Sequence, residues 1–314
     1  MIDHILVPLD GSSLAESVLP HLLGFTQVFE SRVTLVRVQE RRRAGSVDPL
    51  NWHLRKAEAK AYLEEVAARL QTTGLRVEAI VLEAQAVERI LQFAHGQQAD
   101  LLLLSSHVRS VLSGWNISGL LEKIVLRAST STMIVRASHP TPGELAALRY
   151  RRLLVPLDGS QRAEYVLPLA TALARAHESE LLLAHVVRQP EMPRRVPPTQ
   201  EDLELAYRIT ARNQEEAARY LDQFQSRLSL DVQIRLSVSE NTAASLHELA
   251  EKEGVDLVLL SAHGYSAETR WPFGSVAMSF IAYGVTPFLI MQDVPPPETE
   301  PARAEVASRE WRRG

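Results

Sequence analysis

The 314-residue sequence contains no cysteine, which excludes a disulfide scaffold, thiol catalysis, Cys-ligated zinc and iron–sulfur clusters. The same absence fits a reducing compartment. There is no excess of positive charge either: the formal net charge is -4 and the pI about 6.2. A general nucleic-acid binder needs a basic face to displace counterions, so no nucleic-acid partner is expected. Long apolar runs are missing. The purest, such as Leu101 to Leu104, fall far short of the roughly 20 residues that span a bilayer. Met1-Ile2-Asp3-His4 leads straight into an apolar segment with no basic n-region or long h-region. The expectation is a soluble, cytoplasmic protein with no membrane partner.

Catalytic signatures are absent too. There is no Gly-x4-Gly-Lys-Ser/Thr loop, no Gly-x-Ser-x-Gly elbow, and no His-x3-His or Glu-x2-His pair for metal ligation. Ser12 and Ser160 follow a glycine after a strand-like run, but neither has an identifiable His and acid partner. No metal site and no catalytic residue are expected, and the chain reads as a binding protein rather than an enzyme.

What is present is a repeat. A length of 314 residues suggests two domains at about 150 residues each. Ile5 to Pro20 lies over Leu153 to Pro168 at an offset of 148, with twelve of sixteen positions identical. Further on, Ala99-Asp-Leu-Leu-Leu-Leu-Ser-Ser-His107 matches Val255-Asp-Leu-Val-Leu-Leu-Ser-Ala-His263 at an offset of 156. About eight extra residues therefore lie between the matches in the second copy, and the Pro-rich stretch Gln189 to Gln200 is the expected place.

Each copy alternates short apolar or β-branched runs with longer segments of helical spacing. In copy one the runs are His4 to Leu9, Val33 to Val38, Leu75 to Leu82, Leu101 to Ser105 and Thr132 to Val135. The helical segments are Leu14 to Val28, Asn51 to Gln71, Val87 to Gly96 and Leu120 to Ala128. Copy two repeats the order, with its longest helix at about Gln200 to Leu228. The expected fold class is α/β: two tandem, doubly wound, open parallel sheets of Rossmann-like type, five strands each in the order 3-2-1-4-5. The expected layout is a first domain over residues 1–137, a linker over 138–149, a second domain over 150–293 and a disordered, Pro- and charge-rich tail over 294–314.

Two places could carry ligand chemistry. Asp-Gly-Ser follows strand one at Asp10-Gly11-Ser12 and at Asp158-Gly159-Ser160. An Asp there can accept hydrogen bonds from a ribose or base, and Gly allows the sharp turn. Asp and Ser are equally turn and cap residues, and Ser13 with Glu16 forms a candidate capping box. The second place is the loop after strand four, Ser261-Ala-His263-Gly264 through Gly274-Ser275-Val276. Early Gly and a Gly-Ser at a helix start offer close backbone approach, free amides and a hydroxyl to a phosphate. The alternative is a flexible loop with Ser275 as an N-cap. His107 and His263 share one motif position, as a ligand contact or as a loop support.

Val-Pro-Leu-Asp-Gly-Ser opening a βα unit and Ser-x-His-Gly-x9-Gly-Ser closing it resemble the universal stress protein family, with two such domains in tandem. The resemblance covers roughly residues 2–137 and 150–293. It implies an adenine nucleotide alpha hydrolase-like fold. In the ATP-binding branch, the loop reads Gly-x2-Gly-x9-Gly-Ser/Thr, and the strand-one Asp and a Val ending strand two line the nucleoside pocket. Carried over, the matching residues are Asp158, Val186, Gly264, Gly274 and Ser275, while Ser261 stands at the first Gly. In copy one Asp10 and Val38 match, but Ser105, Val108 and the inverted Ser118-Gly119 depart. If the second Gly needs φ > 0, Val108 would be strained by on the order of 1–3 kcal/mol. The resemblance thus implies ATP or a related adenine nucleotide, with or without Mg2+, held by domain two. It also implies an intramolecular pseudo-dimer joined through the last strands, a further homodimer and an unidentified protein partner. A nucleotide-independent scaffold is the alternative, and a slow ATP hydrolase the third reading.

Overall fold

In the computed structural model, the described residues are 2–40, 49–107, 119–137, 145–190, 197–265 and 272–293. Val108, Ser118, most of the expected linker, the centre of the Pro-rich loop and the expected disordered tail lie outside them.

The apolar runs become strands. In the first half these are β1 (His4–Pro8), β2 (Arg32–Gln39), β3 (Val77–Glu83), β4 (Leu101–His107) and β5 (Ser131–Ala137). The second half supplies β6 (Arg152–Pro156), β7 (Glu180–Arg188), β8 (Val232–Ser239), β9 (Leu257–Ser261) and β10 (Phe288–Met291). Within each half all pairings are parallel, in the orders β3-β2-β1-β4-β5 and β8-β7-β6-β9-β10, the expected 3-2-1-4-5. The two sheets are not separate. β5 and β10 pair antiparallel, with Phe288 opposite Ile134 and Ile290 opposite Thr132, so that one ten-stranded sheet runs through the molecule. Pairing these strands satisfies two edges that would otherwise present unpaired amides and carbonyls.

Helices cover both faces, because parallel strands need crossovers. On one face lie α1 (Leu19–Phe29), α2 (Pro49–Gln71), α6 (Leu167–His177) and α7 (Gln200–Arg227), packed on alternate strand residues such as Val7, Leu35, Val155 and Leu183. The other face carries α3 (Ala86–Gly96), α4 (Gly119–Arg127), α8 (Thr242–Lys252) and α9 (Ser275–Tyr283) over Leu6, Val36, Leu154 and Ala184. Among the described residues, no helix is long and apolar enough to cross a membrane.

Three local expectations are corrected. The segment Leu14 to Val28 is not one helix: a 3-10 turn at Ala15–Val18 precedes α1, and a four-residue α5 (Gln161–Glu164) precedes α6. Pro20 and Pro168 lack an amide hydrogen and are tolerated only in the first turn, so each main helix starts just before its proline. The capping box at Ser13 and Glu16 does not form. Ser12 Oγ instead accepts from Ala15 N–H at 3.1 Å, and Glu16 is drawn to Arg69 at 2.8 Å. The extra residues of copy two are not confined to the Pro-rich loop, since α7 has 28 residues against 23 in α2 and so absorbs five of the eight. A capping box at Thr199 and Asp202 defines its start.

Candidate functional site

The second half forms a crevice at the carboxyl ends of β6, β7 and β9, where parallel α/β sheets bind ligands. Its cavity volume is about 110 Å3. The floor is Asp158, Ala184 and Val186; the walls are Thr242 and Leu246 of α8 and Gly274 to Ala277 at the start of α9; the rim is Ser261 to Gly264.

Asp158 reaches the crevice because Leu157 extends β6 by one more bond, N–H to Ala184 O at 2.8 Å, and Gly159 then turns the chain at φ +84°. Asp158 Oδ1 accepts from Ser160 N–H at 3.0 Å and Ser160 Oγ–H at 2.6 Å, so the turn role and the crevice role coexist. Ser160 Oγ in turn caps α5, accepting from Ala163 N–H at 3.1 Å. Oδ2 accepts from Tyr265 N–H at 2.6 Å, fastening the loop after β9 to the turn after β6.

Gly264 has no positive φ, so the conformational reason expected for a glycine there does not hold. The reason is space. A Cβ on residue 264 would be driven into Oδ2 of Asp158, well inside contact distance, and that oxygen is held by its hydrogen bond. Ser261 is buried and directs Oγ toward Ala163 O at 3.4 Å, a long and weak contact that points to α5. Ser275 is the first helical residue rather than the N-cap. The cap is Gly274, extended at φ -72° and ψ 169°, which has no side chain to bond the first-turn amides of α9. A helix start that lacks a side-chain acceptor suits an anion.

His263 lines the crevice and also makes a supporting contact. Its Nδ1 lies 2.7 Å from Asp293 Oδ1, and Asp293 Oδ2 accepts from Arg162 Nε–H at 2.5 Å. With the side chains of His263 and Asp293 only 3% exposed, this triad clamps the rim of the crevice to α5 and to the chain just beyond β10. Sequence reasoning missed Arg162, Asp293, Thr242 and Leu246. The triad had a signal in the repeat itself: at the offsets of 148 and 156 the counterparts of Arg162 and Asp293 are Leu14 and Ala137, so only copy two carries it.

In copy one Asp10 and Val38 occupy the corresponding places, and Asp10 Oδ1 accepts from Ser12 N–H at 2.8 Å. Ser105 Oγ donates to Leu14 O at 2.9 Å, the same backward reach as Ser261 makes. Two features differ. The Arg37 guanidinium packs against Gly11, 2.9 Å from where a Cβ would lie, and sits 5.4 Å from the Tyr62 ring centre. In copy two that position is His185, whose buried Nδ1 has no hydrogen-bond partner among the described residues and whose pKa is lowered by burial, against the pull of Asp158. The copy-one loop beyond His107 lies outside the described residues. Among the described residues, no cluster of three or more His, Asp or Glu is arranged to hold a metal ion.

Comparison with known proteins agrees with the fold and its duplication. The model of the universal stress protein family matches twice, over residues 1–136 and 149–292. The universal stress protein MJ0577 of Methanocaldococcus jannaschii is 24% identical over 158 residues, 44% of this chain and 98% of its own. Among solved structures, a universal stress protein from Archaeoglobus fulgidus superposes with a TM-score of 0.67 at 16% identity, covering 94% of this chain and 100% of that one. A functionally unknown protein of Pseudomonas aeruginosa, PA1789, gives 0.69 at 14% identity over 93% of this chain and 92% of its own. At those identities the structural likeness speaks to the tandem fold.

Proposed function

This chain belongs to the universal stress protein family, and from that premise we propose that its second domain, residues 150–293, binds ATP or a related adenine nucleotide in the Asp158 crevice. The observation that carries the reading is the joint of Asp158 and Gly264, which leaves no room for a Cβ beside a helix start whose cap is a bare glycine. Thr242, Leu246 and Val186 supply the apolar wall a base would need, Asp158 has acceptor capacity for a ribose, and Gly274 to Val276 offer amides and a hydroxyl to phosphates. Mg2+, if it takes part, would come with the phosphates rather than on a protein ligand set. The role is binding rather than turnover, in the cytoplasm, with occupancy passed to a partner or to self-association. Copy one keeps Asp10 and Val38 but contributes no comparable phosphate end in its sequence, so binding falls to domain two.

Equilibrium binding tests this. At a hundredfold excess over the dissociation constant, a ligand of the native state stabilises it by about 2.7 kcal/mol. ATP with Mg2+ should raise the melting temperature of the full chain, and GTP should do so less. No shift at millimolar ATP would overturn the reading.

One observation favours a second reading, a nucleotide-independent scaffold: the antiparallel β5–β10 join unites the two halves by backbone pairing between strands that do not line the crevice. Under that reading the molar mass in solution, measured by light scattering, is the same with and without ATP, whereas the nucleotide reading with self-association expects it to change.

A further inference from the structure

The join between the halves does more than close the sheet. Each half sends one side chain across it to the carboxyl end of the other half's last helix. From β5, Arg136 donates through Nη2 to the carbonyls of Phe280 at 3.1 Å and Ile281 at 2.9 Å, in the last turn of α9. From just beyond β10, Gln292 donates through Nε2 to Ala128 O at 3.3 Å, just past α4. The two residues are equivalent in register: Thr132 pairs with Leu102 as Phe288 pairs with Val258, which sets Arg136 opposite Gln292 in the repeat. The arms are unequal, since one is a cation and the other a neutral amide.

The cation acts on the helix that matters for the crevice. α9 is nine residues long, roughly 13 Å at 1.5 Å per residue. A helix so short is marginal by itself and is held by its tertiary contacts. Its N-cap is Gly274, without a side-chain bond; at the other end Gly284 N–H donates to Phe280 O at 3.0 Å, but Gly284 lacks the left-handed turn that caps the later carbonyls. Arg136 supplies the closure from the other half. Its own position is well determined: Nη1 donates to Ser106 Oγ on β4 at 2.9 Å, and the guanidinium carbon lies 5.5 Å from the Phe288 ring centre. Burial pushes its pKa down to about 10, which still leaves it a cation at neutral pH.

We propose that Arg136, a residue of the first half, is a positioning residue for the nucleotide crevice of the second: by gripping the carbonyl end of α9 it holds Gly274, Ser275 and Val276 where phosphates meet them. The inference rests on the nucleotide reading above. A cation at one end of α9 and an anion at the other stabilise the same helix dipole, so the two should reinforce each other. By linkage, nucleotide bound to the second half tightens the join with the first. The half whose own loop departs from the binding pattern thereby sets the affinity of the half that keeps it.

The test uses the full chain and ATP with Mg2+ as the probe, titrated calorimetrically well below the melting temperature, with far-UV circular dichroism as the check on folding. Arg136→Gln converts the cationic arm to the type found at Gln292 and is expected to weaken ATP by about five-fold or more. Arg136→Lys keeps the charge without the planar fork and is expected to recover part of that loss. Hydrogen exchange across residues 275–283 gives a second readout independent of ligand. Faster exchange at the start of α9 in Arg136→Gln, partly reversed in Arg136→Lys, supports the positioning role. A wild type that binds ATP and an Arg136→Gln variant of unchanged affinity overturn the inference while sparing the nucleotide reading. A wild type that binds no ATP overturns the nucleotide reading, and unchanged exchange in α9 then removes the positioning role as well. Should Arg136→Gln not fold, Arg136→Lys against wild type decides by the same two readouts.

Discussion

Asp158 and Gly264 interlock: Oδ2 of Asp158 occupies the space a Cβ on residue 264 would need, and it is kept there by Tyr265 N–H at 2.6 Å. Gly264→Ala must therefore expel the carboxylate and release the loop. We expect a loss of about 1–2 kcal/mol in stability and roughly tenfold in ATP affinity. Gly96→Ala, where a Cβ meets nothing within 4 Å at the end of α3, is the control: it should leave ATP affinity unchanged in calorimetry and stability equal or slightly raised, by up to about 1 kcal/mol.

Ser261 stands where the family pattern has its first glycine, and its hydroxyl turns toward Ala163 O at 3.4 Å. Ser261→Gly should cost less than about 1 kcal/mol in stability and leave ATP affinity equal or improved. A large loss of affinity in calorimetry would show that the hydroxyl is itself a ligand contact.

The Arg162–Asp293–His263 triad is buried at its acid, whose two carboxylate oxygens serve Arg162 and His263 separately. Asp293→Asn is expected to destabilise by about 1–2 kcal/mol, since an amide offers one oxygen where the carboxylate offers two and loses the charge-assisted bond to Arg162. Denaturant unfolding gives the magnitude, and hydrogen exchange should place the loosening at the crevice rim rather than at the far edge of the sheet.

His21 supplies a pH dependence. Its Nδ1 lies 2.9 Å from the hydroxyl of the fully buried Tyr150, and burial pushes its pKa down from 6.5 to about 4. His177, which touches the same tyrosine ring, is also lowered, chiefly by burial. Because the unfolded chain binds the proton more tightly, the stabilising contribution is complete above pH 6.5 and is lost as pH falls toward 4. The contribution of His21 is on the order of 3 kcal/mol at most. Unfolding free energy measured from pH 7 to pH 4 should fall, and His21→Phe should flatten that fall. An identical slope in the variant would contradict this origin.

Much of the fold was legible because its signals are local. The apolar runs Ile5 to Leu9 and Leu101 to Leu104 mark strands buried on both faces, and the helical spacing between them requires parallel crossovers. Where the reading slipped, a local rule was overruled. Pro20 moved a helix start, Arg69 drew Glu16 out of a capping box, and five inserted residues lengthened α7 rather than a loop. At the site, Asp158, Val186, Ser261, His263, Gly264, Gly274, Ser275 and Val276 all come to one crevice, as their motif positions suggested. Their jobs were less visible: Gly264 makes room for Asp158 without a positive φ, and His263 supports the rim through Nδ1 while it lines the crevice.

By itself the sequence determined the duplication, the βα order of each copy and which copy carries the more complete loop, because period, motif and offset are properties of neighbouring residues. The family resemblance implied a join through the last strands; only the tertiary structure decided that it is antiparallel, with Phe288 opposite Ile134, and that Arg136 reaches Phe280 across 144 positions and Asp293 reaches Arg162 across 131. Such pairs have no periodicity to announce them. The first forms because the antiparallel β5–β10 ladder sets β5 against the second half, the second because the parallel pairing of β6, β9 and β10 brings the turn after β6 beside the end of β10, and buried charges there must find partners wherever the fold has placed them.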